Sequence, residues 1–477
     1  MRAVEYASFD ATGLAELIRT GQVTPAEVWA AAAEALDGVS PKLNALVGPR
    51  FAEPLAHSAD GPFGGVPFAI KDLVLHAAGV PQRAGSRLLG DGVTAPNDTY
   101  LMARFRAAGL ATMGVTATPE LGFNASTESV ATGQVHNPWD PTRSPGGSSG
   151  GSAALVAARA LPVAHANDGG GSIRIPAGAC GLVGLKPSRG RTTAGPDMSD
   201  PLLGMAVEFA LTRTVRDCAA LFDAVHGAEV GDRYLYPAPE RPFAEAARDG
   251  SRPLRVAVTT TPLCGTGVVD PESVAAVRAV ADELANSGHA VTRAAPSVDT
   301  EAFDDAALIA WTSSLADTAD LLASLTGASV GPDTLEATTL ACVEHGRALR
   351  AVDMYAMDRV FNAVTRTVAA FFVEHDVLLS PTTCAPNTAL GYLNADDPTL
   401  SARGWYDKLF GFAGFTPLAN VTGMPAISLP LAWSSRGWPI GVQLMSGLAR
   451  EADLLALAGD LERSRPWADR RPPVCAG

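Results

Sequence analysis

The stretch NDGGGS, Asn167 to Ser172, sets three glycines directly before a serine. Glycines remove the Cβ atoms that block a tight turn, so consecutive backbone N–H groups can converge on one point. Holding a developing oxyanion needs that convergence, and a serine at its end is placed to attack the carbonyl whose oxygen is held. Ser172 is therefore a candidate nucleophile, with a plain hydroxyl cap on the following helix as the alternative. A nucleophilic serine needs a base. His165 is near in the chain, but the GxSxG elbow of Ser-His-Asp hydrolases is absent. Lys71 closes the apolar run of GVPFAIKD, residues 65–72, where burial disfavours the ammonium and favours a neutral amine. The adjacent Asp72 keeps a buried ion pair equally open.

A second cluster, SPGGSSGGSAA at 144–154, has four glycines and four serines in eleven positions before an alanine-rich run that reads as a helix. Such a turn can cradle an anion or supply a proton relay. A Walker loop is disfavoured because Gly151 is followed by Ser152-Ala153-Ala154 with no lysine. A dinucleotide fingerprint has only Asp168 at the required distance, and that residue sits inside the other glycine turn.

These residues need a scaffold. One helix is expected from the N-cap Asp10 to the Thr20-Gly21 stop, and a second from the capping box at Thr24–Glu27 to about Leu36. From residue 61, short apolar runs such as VPFAI and ATMGV alternate with helical stretches, which argues for an α/β sandwich. A strand at Leu254–Val258 precedes a helix opened by Asp270-Pro271 with Val274, Val277, Val280 and Leu284 on one face. Long helices are expected over 300–370, and strands return at 376–382 and 424–431. No repeat or linker marks a domain boundary.

Composition narrows the function classes. The 47% hydrophobic and 18% charged content is that of a globular chain. The net charge of −14, with no basic run, argues against nucleic acid and anionic membrane partners. Glu5 and Asp10 interrupt any apolar leader, and every apolar window is broken before it could span a bilayer, so a cytoplasmic protein is expected. Cys180, Cys218, Cys264, Cys342, Cys384 and Cys475 show no paired spacing, and the eight histidines form no zinc motif; reduced cysteines and no metal are expected.

Taken in order, GVPFAIKD, SPGGSSGGSAA and NDGGGSIRIPAGACGLVGLKPSRGR resemble the amidase signature family. Segments 211–227, 420–432 and 437–447 extend the likeness, which is weakest between about 295 and 410. Within the family the chain is most similar to bacterial amidases of the 6-aminohexanoate cyclic dimer hydrolase type, through Val163–Asp168 and Pro466–Pro473. The resemblance implies an α/β fold with a large mixed β-sheet core covered by helices on both faces. It implies one domain over 1–477, with a motif-bearing core at about 61–230 and a variable, substrate-shaping helical region at about 295–410.

It also implies a Ser-Ser-Lys triad: Lys71 as base, Ser148 as relay after a cis Gly147–Ser148 bond, and Ser172 as nucleophile. The N–H groups of Gly169, Gly170, Gly171 and Ser172 would form the oxyanion hole, with Ser149, Asp168 and Arg174 supporting the loops. The implied reaction is hydrolysis of a small linear, aryl or cyclic amide through an acyl-enzyme, without cofactor. The alternative is transfer of the acyl group to an amine or ammonia, as in an amidotransferase A-type subunit. A homodimer is a further expectation of the resemblance. Asn167 departs from the family pattern, where many members carry threonine. The helical region offers Trp311, Leu315, Leu321 and Phe361 for a neutral substrate pocket, and Phe123 is placed with Trp311 as a pocket residue.

Overall fold

A computed structural model describes residues 1–477. Asp10 caps helix Ala11–Arg19 by accepting from the Gly13 N–H at 2.9 Å. Thr24 and Glu27 form the reciprocal capping box that opens the next helix. That helix continues beyond the expected stop at Leu36 to Leu43, because Val39 and Leu43 prolong the buried stripe of Ala32 and Leu36. Asn44, in the left-handed conformation at φ 50°, ends it.

Eight strands build a mixed sheet in the order Ala290–Arg293, Arg255–Val258, Val377–Pro381, Pro439–Ser446, Ala426–Trp433, Val183–Lys186, Val207–Thr212 and Val163–Asp168. The first three are mutually parallel and every later neighbour is antiparallel. Successive residues of a strand enter two different cores. Val256 and Leu379 join one, Ala257 and Leu378 the other, so helices cover both faces as the resemblance implied. Helix Pro271–Asn286 packs Val277, Val280 and Leu284 inward, with Val274 only half-buried.

Strand Val163–Asp168 is the sheet edge that leads into the glycine turn before Ser172. Beside it lies a parallel pair, Val66–Lys71 and Leu110–Thr116, tied to it by the Lys71 N–H donating to His165 Nδ1 at 3.2 Å. The expected long helices are Thr300–Thr326, Ala337–Ala348 and Ala351–Glu374, and the first reaches over the glycine loop after Asp168. No helix is long and apolar enough to cross a membrane.

Candidate active site

Lys71 ends a fully buried strand, and its ammonium group has no carboxylate partner. Nζ lies 2.7 Å from Ser148 Oγ, 3.0 Å from Ser149 Oγ and 2.5 Å from Asn167 Oδ1. Asp72 turns away and accepts from the backbone N–H groups of Arg83 and Gly85. The ion pair left open by the sequence is therefore not formed. Burial pushes the Lys71 ammonium down to about 7, against the opposing pull of Glu208 and Asp168.

The hydrogen-bond pattern limits what the amine can do once it is neutral. Asn167 Oδ1 can only accept, and Ser149 Oγ donates to the Asn167 carbonyl at 3.3 Å, so it too accepts from Nζ. A neutral amine has two N–H bonds and one lone pair. With both protons directed at Asn167 and Ser149, the lone pair faces Ser148 Oγ, whose own proton has no other protein acceptor. Ser148 is thereby poised to give its proton to Lys71. The Gly147–Ser148 peptide is cis, as the resemblance implied.

Period-two alternation along Val163–Asp168 separates two networks. His165 and Asn167 face the Lys71 strand, while Asp168 faces the opposite way. There Asp168 accepts from Arg174 Nε and Nη2 at 2.9 Å each, from the Ile173 N–H at 3.2 Å and from Asn420 Nδ2 at 2.8 Å. Arg174 also reaches the Thr416 carbonyl, Gln443 Oε1 and Asn420 Oδ1. Burial would raise the Asp168 carboxyl, but the Arg174 charge outweighs it and holds the group at about 2. The pair closes both ends of the 168–174 loop.

Inside that loop, none of the N–H groups of Gly169, Gly170, Gly171 and Ser172 donates to a protein acceptor. Their peptide planes are nevertheless held. Thr416 Oγ1 donates to the Gly170 carbonyl at 2.7 Å, which orients the Gly171 N–H on the opposite side of the same planar unit. The Ile175 N–H donates to the Gly171 carbonyl at 2.7 Å and does the same for the Ser172 N–H. Gly171 has φ 140°, and a Cβ there would lie 2.4 Å from Thr416 Oγ1, so this position requires glycine. Four donors without a protein acceptor thus lie on a backbone held at the Gly170 and Gly171 carbonyls, which is what an anion-binding turn requires. The Ser172 hydroxyl has no hydrogen-bonded protein partner, and it does not cap the helix Arg174–Cys180.

Ser148, Asn167, Gly169 and Ser172 share one cavity of about 130 Å³. Trp311 and Leu315 line it, as expected. Phe123 does not; its ring stacks on Trp311 with centroids 4.4 Å apart and backs the wall from behind. Leu321 is exposed, and Phe361 packs among the outer helices, so neither reaches the cavity. His165 is no base for Ser172, since its two ring nitrogens are taken by the Lys71 N–H and by Glu208 Oε2 at 2.7 Å. Sequence reasoning passed over Asn167 as a site residue, although its departure from the motif marked it. It missed Glu208, Thr416, Asn420 and Gln443 altogether, because no local spacing ties them to the loop.

Residues 30–455 match the family model described as Amidase. The chain is 38% identical over 483 residues to the 6-aminohexanoate-cyclic-dimer hydrolase of Paenarthrobacter ureafaciens, covering 98% of this chain and 96% of that one. A solved structure of a 6-aminohexanoate cyclic dimer hydrolase complexed with substrate superposes with a TM-score of 0.91 at 36% identity, over 98% of this chain and 99% of the other. A bacterial aryl acylamidase of the amidase signature enzymes gives 0.85 at 25% identity, over 96% and 97%.

Proposed function

Because the chain belongs to the amidase signature family, we propose that it hydrolyses a small carboxylic amide through an acyl-enzyme built on Ser172, with Ser148 as relay and Lys71 as base. The observation that carries this reading is the Lys71–Ser148 hydrogen bond of 2.7 Å, made by a buried lysine without a carboxylate partner, in the cavity that also holds Ser172.

The steps follow from that arrangement. Ser172 Oγ attacks the amide carbon as its proton passes to Ser148 and the Ser148 proton passes to Lys71 Nζ. The N–H groups of Gly169, Gly170, Gly171 and Ser172 receive the oxyanion. When the C–N bond breaks, the relay runs backward and delivers the proton to the leaving nitrogen. Water then attacks the ester by the same route, and the acid leaves with Ser172 restored.

Hydrolysis is favoured over acyl transfer because the relatives that are 36–38% identical over nearly the whole chain are named as hydrolases of a cyclic amide. We read residues 1–477 as one domain. Six unpaired cysteines, five of them buried, fit a reducing cytoplasm.

The test is intact-mass analysis and peptide mapping after a fluorophosphonate probe, alongside amine and ammonia release from linear, aryl and cyclic amides. One adduct on Ser172 with turnover of an amide is expected. Turnover with the adduct on a different serine overturns the assignment of the nucleophile.

A further inference from the structure

Glu208 is the one charged residue with an unassigned role on the wall of the proposed catalytic cavity. It stands in strand Val207–Thr212 directly opposite Asn167, so the two side chains share a face of the sheet. The residue is 2% exposed. Oε2 accepts from His165 Nε2 at 2.7 Å, whereas Oε1 has no hydrogen-bond partner in the protein. A buried carboxylate oxygen without a donor is costly, and native proteins leave few of them.

The surroundings define what would satisfy it. His165 Nδ1 accepts from the Lys71 N–H and therefore carries no proton, so the imidazole is the neutral tautomer and does not balance a carboxylate charge. No arginine, lysine or histidine lines this cavity; its other walls are apolar, such as Leu73, Leu121, Leu202 and Trp311, or neutral hydroxyls and an amide. A smaller cavity of about 20 Å³ on the far side of Glu208 holds Arg189 and Arg233. Arg189 is bonded to the carbonyls of Gly204, Asn420 and Val421, and Arg233 to Asp200, so neither serves Oε1.

We propose that Glu208 Oε1 receives an N–H-bearing cationic group of the substrate, a primary ammonium foremost, so that the site selects amides carrying an amino group over isosteres ending in methyl. This deepens the amidase reading and rests on it. The cavity then combines an apolar sleeve for a methylene chain with one acidic acceptor, and it disfavours substrates with a second carboxylate near the scissile bond.

The experiment compares ω-amino alkanamides with alkanamides in which methyl replaces the ammonium, in wild type and in Glu208→Gln. The readout is the ratio of kcat/KM for each isosteric pair, in which any general loss of activity cancels. The wild type should prefer the amino member at its best chain length by roughly ten- to a hundredfold, the scale of a hydrogen bond to a charged group. In Glu208→Gln the ratio should fall at least roughly tenfold. A wild-type ratio near one at every length overturns the inference, as does an unchanged ratio in the variant.

If the alkanamides and an anilide are turned over but show no amino preference, this inference falls and the amidase reading stands. Turnover is not needed for the second readout. Hexylammonium should raise the melting temperature of the wild type more than hexanol does, and equal shifts would overturn the proposal even if no amide were cleaved or the variant failed to fold.

Discussion

Lys71 Nζ and Ser148 Oγ are 2.7 Å apart, and in the neutral amine the acceptors at Asn167 and Ser149 leave the lysine lone pair toward the serine hydroxyl. A lysine held as an ion pair could not act this way, since its lone pair would be protonated. The absence of a carboxylate at Nζ therefore matters as much as the short distance.

That geometry sets the pH response. With Lys71 lowered to about 7, kcat/KM should climb about tenfold per pH unit below that value and level off above it. Lys71→Met should remove this limb together with most of the activity. The same group leaves a stability signature. Its folded value of about 7 lies below the ordinary 10.5, so between those values the unfolded chain holds a proton that the folded chain does not. Relative to Lys71→Met, the wild type should gain stability as pH rises from about 7 to about 10.5 and show no further change outside that window. Denaturant melts of the pair across that range measure it.

Ser172→Ala should lower kcat by at least about 10³-fold while leaving the melting temperature nearly unchanged, because the hydroxyl makes no internal hydrogen bond. Ser148→Ala should be nearly as inactive, since the two serines act as one unit and their losses do not add. Single-turnover kinetics would show no acyl-enzyme in the first variant. Persistent acyl-enzyme formation there would assign attack to a different group.

Asp168→Asn leaves the Arg174 guanidinium buried without its carboxylate and should cost about 3–5 kcal/mol. The native carboxyl sits at about 2 against an ordinary 3.8, so its contribution is complete above 3.8 and is lost as pH falls through 2. Acid unfolding of the variant should lack that segment of the pH dependence. Calorimetry from neutral pH downward separates the two effects.

Thr416→Val removes the hydroxyl that holds the Gly170 carbonyl. The expected outcome is a roughly 10- to 100-fold fall in kcat with KM little affected, because the Gly171 N–H is displaced from the oxyanion rather than from the bound ground state. Thr416→Ser keeps the hydroxyl and should restore most of the rate. Equal defects in both variants would point to packing instead.

The parts of this site that were legible in the sequence are those whose cause is local. Capping residues announced the first helices, and the glycine run before Ser172 announced a cradle, since conformational freedom is written into residue type. Lys71 was ambiguous because Asp72 is adjacent in sequence; the fold separates them, one aimed into the site and the other at the Arg83–Gly85 backbone. Thr416 and Asn420 reach the loop from some 240 residues away, and Glu208 reaches Asn167 through strand pairing, so neither has a local mark. Phe123 is expected in the pocket with Trp311, yet it stacks behind that ring and lines no part of the cavity, because only the packing decides which ring faces inward.

One strand serves as a ruler for the whole centre. Asn167 and Asp168 are neighbours in the chain, yet one holds Lys71 Nζ and the other holds Arg174 at the end of the glycine loop, because a pleated backbone sends them to opposite sides. An insertion or deletion of a single residue in this strand would exchange their directions and dismantle both halves of the machinery in one event. A substitution in this strand disturbs one network at a time, whereas a change of its length disturbs both at once.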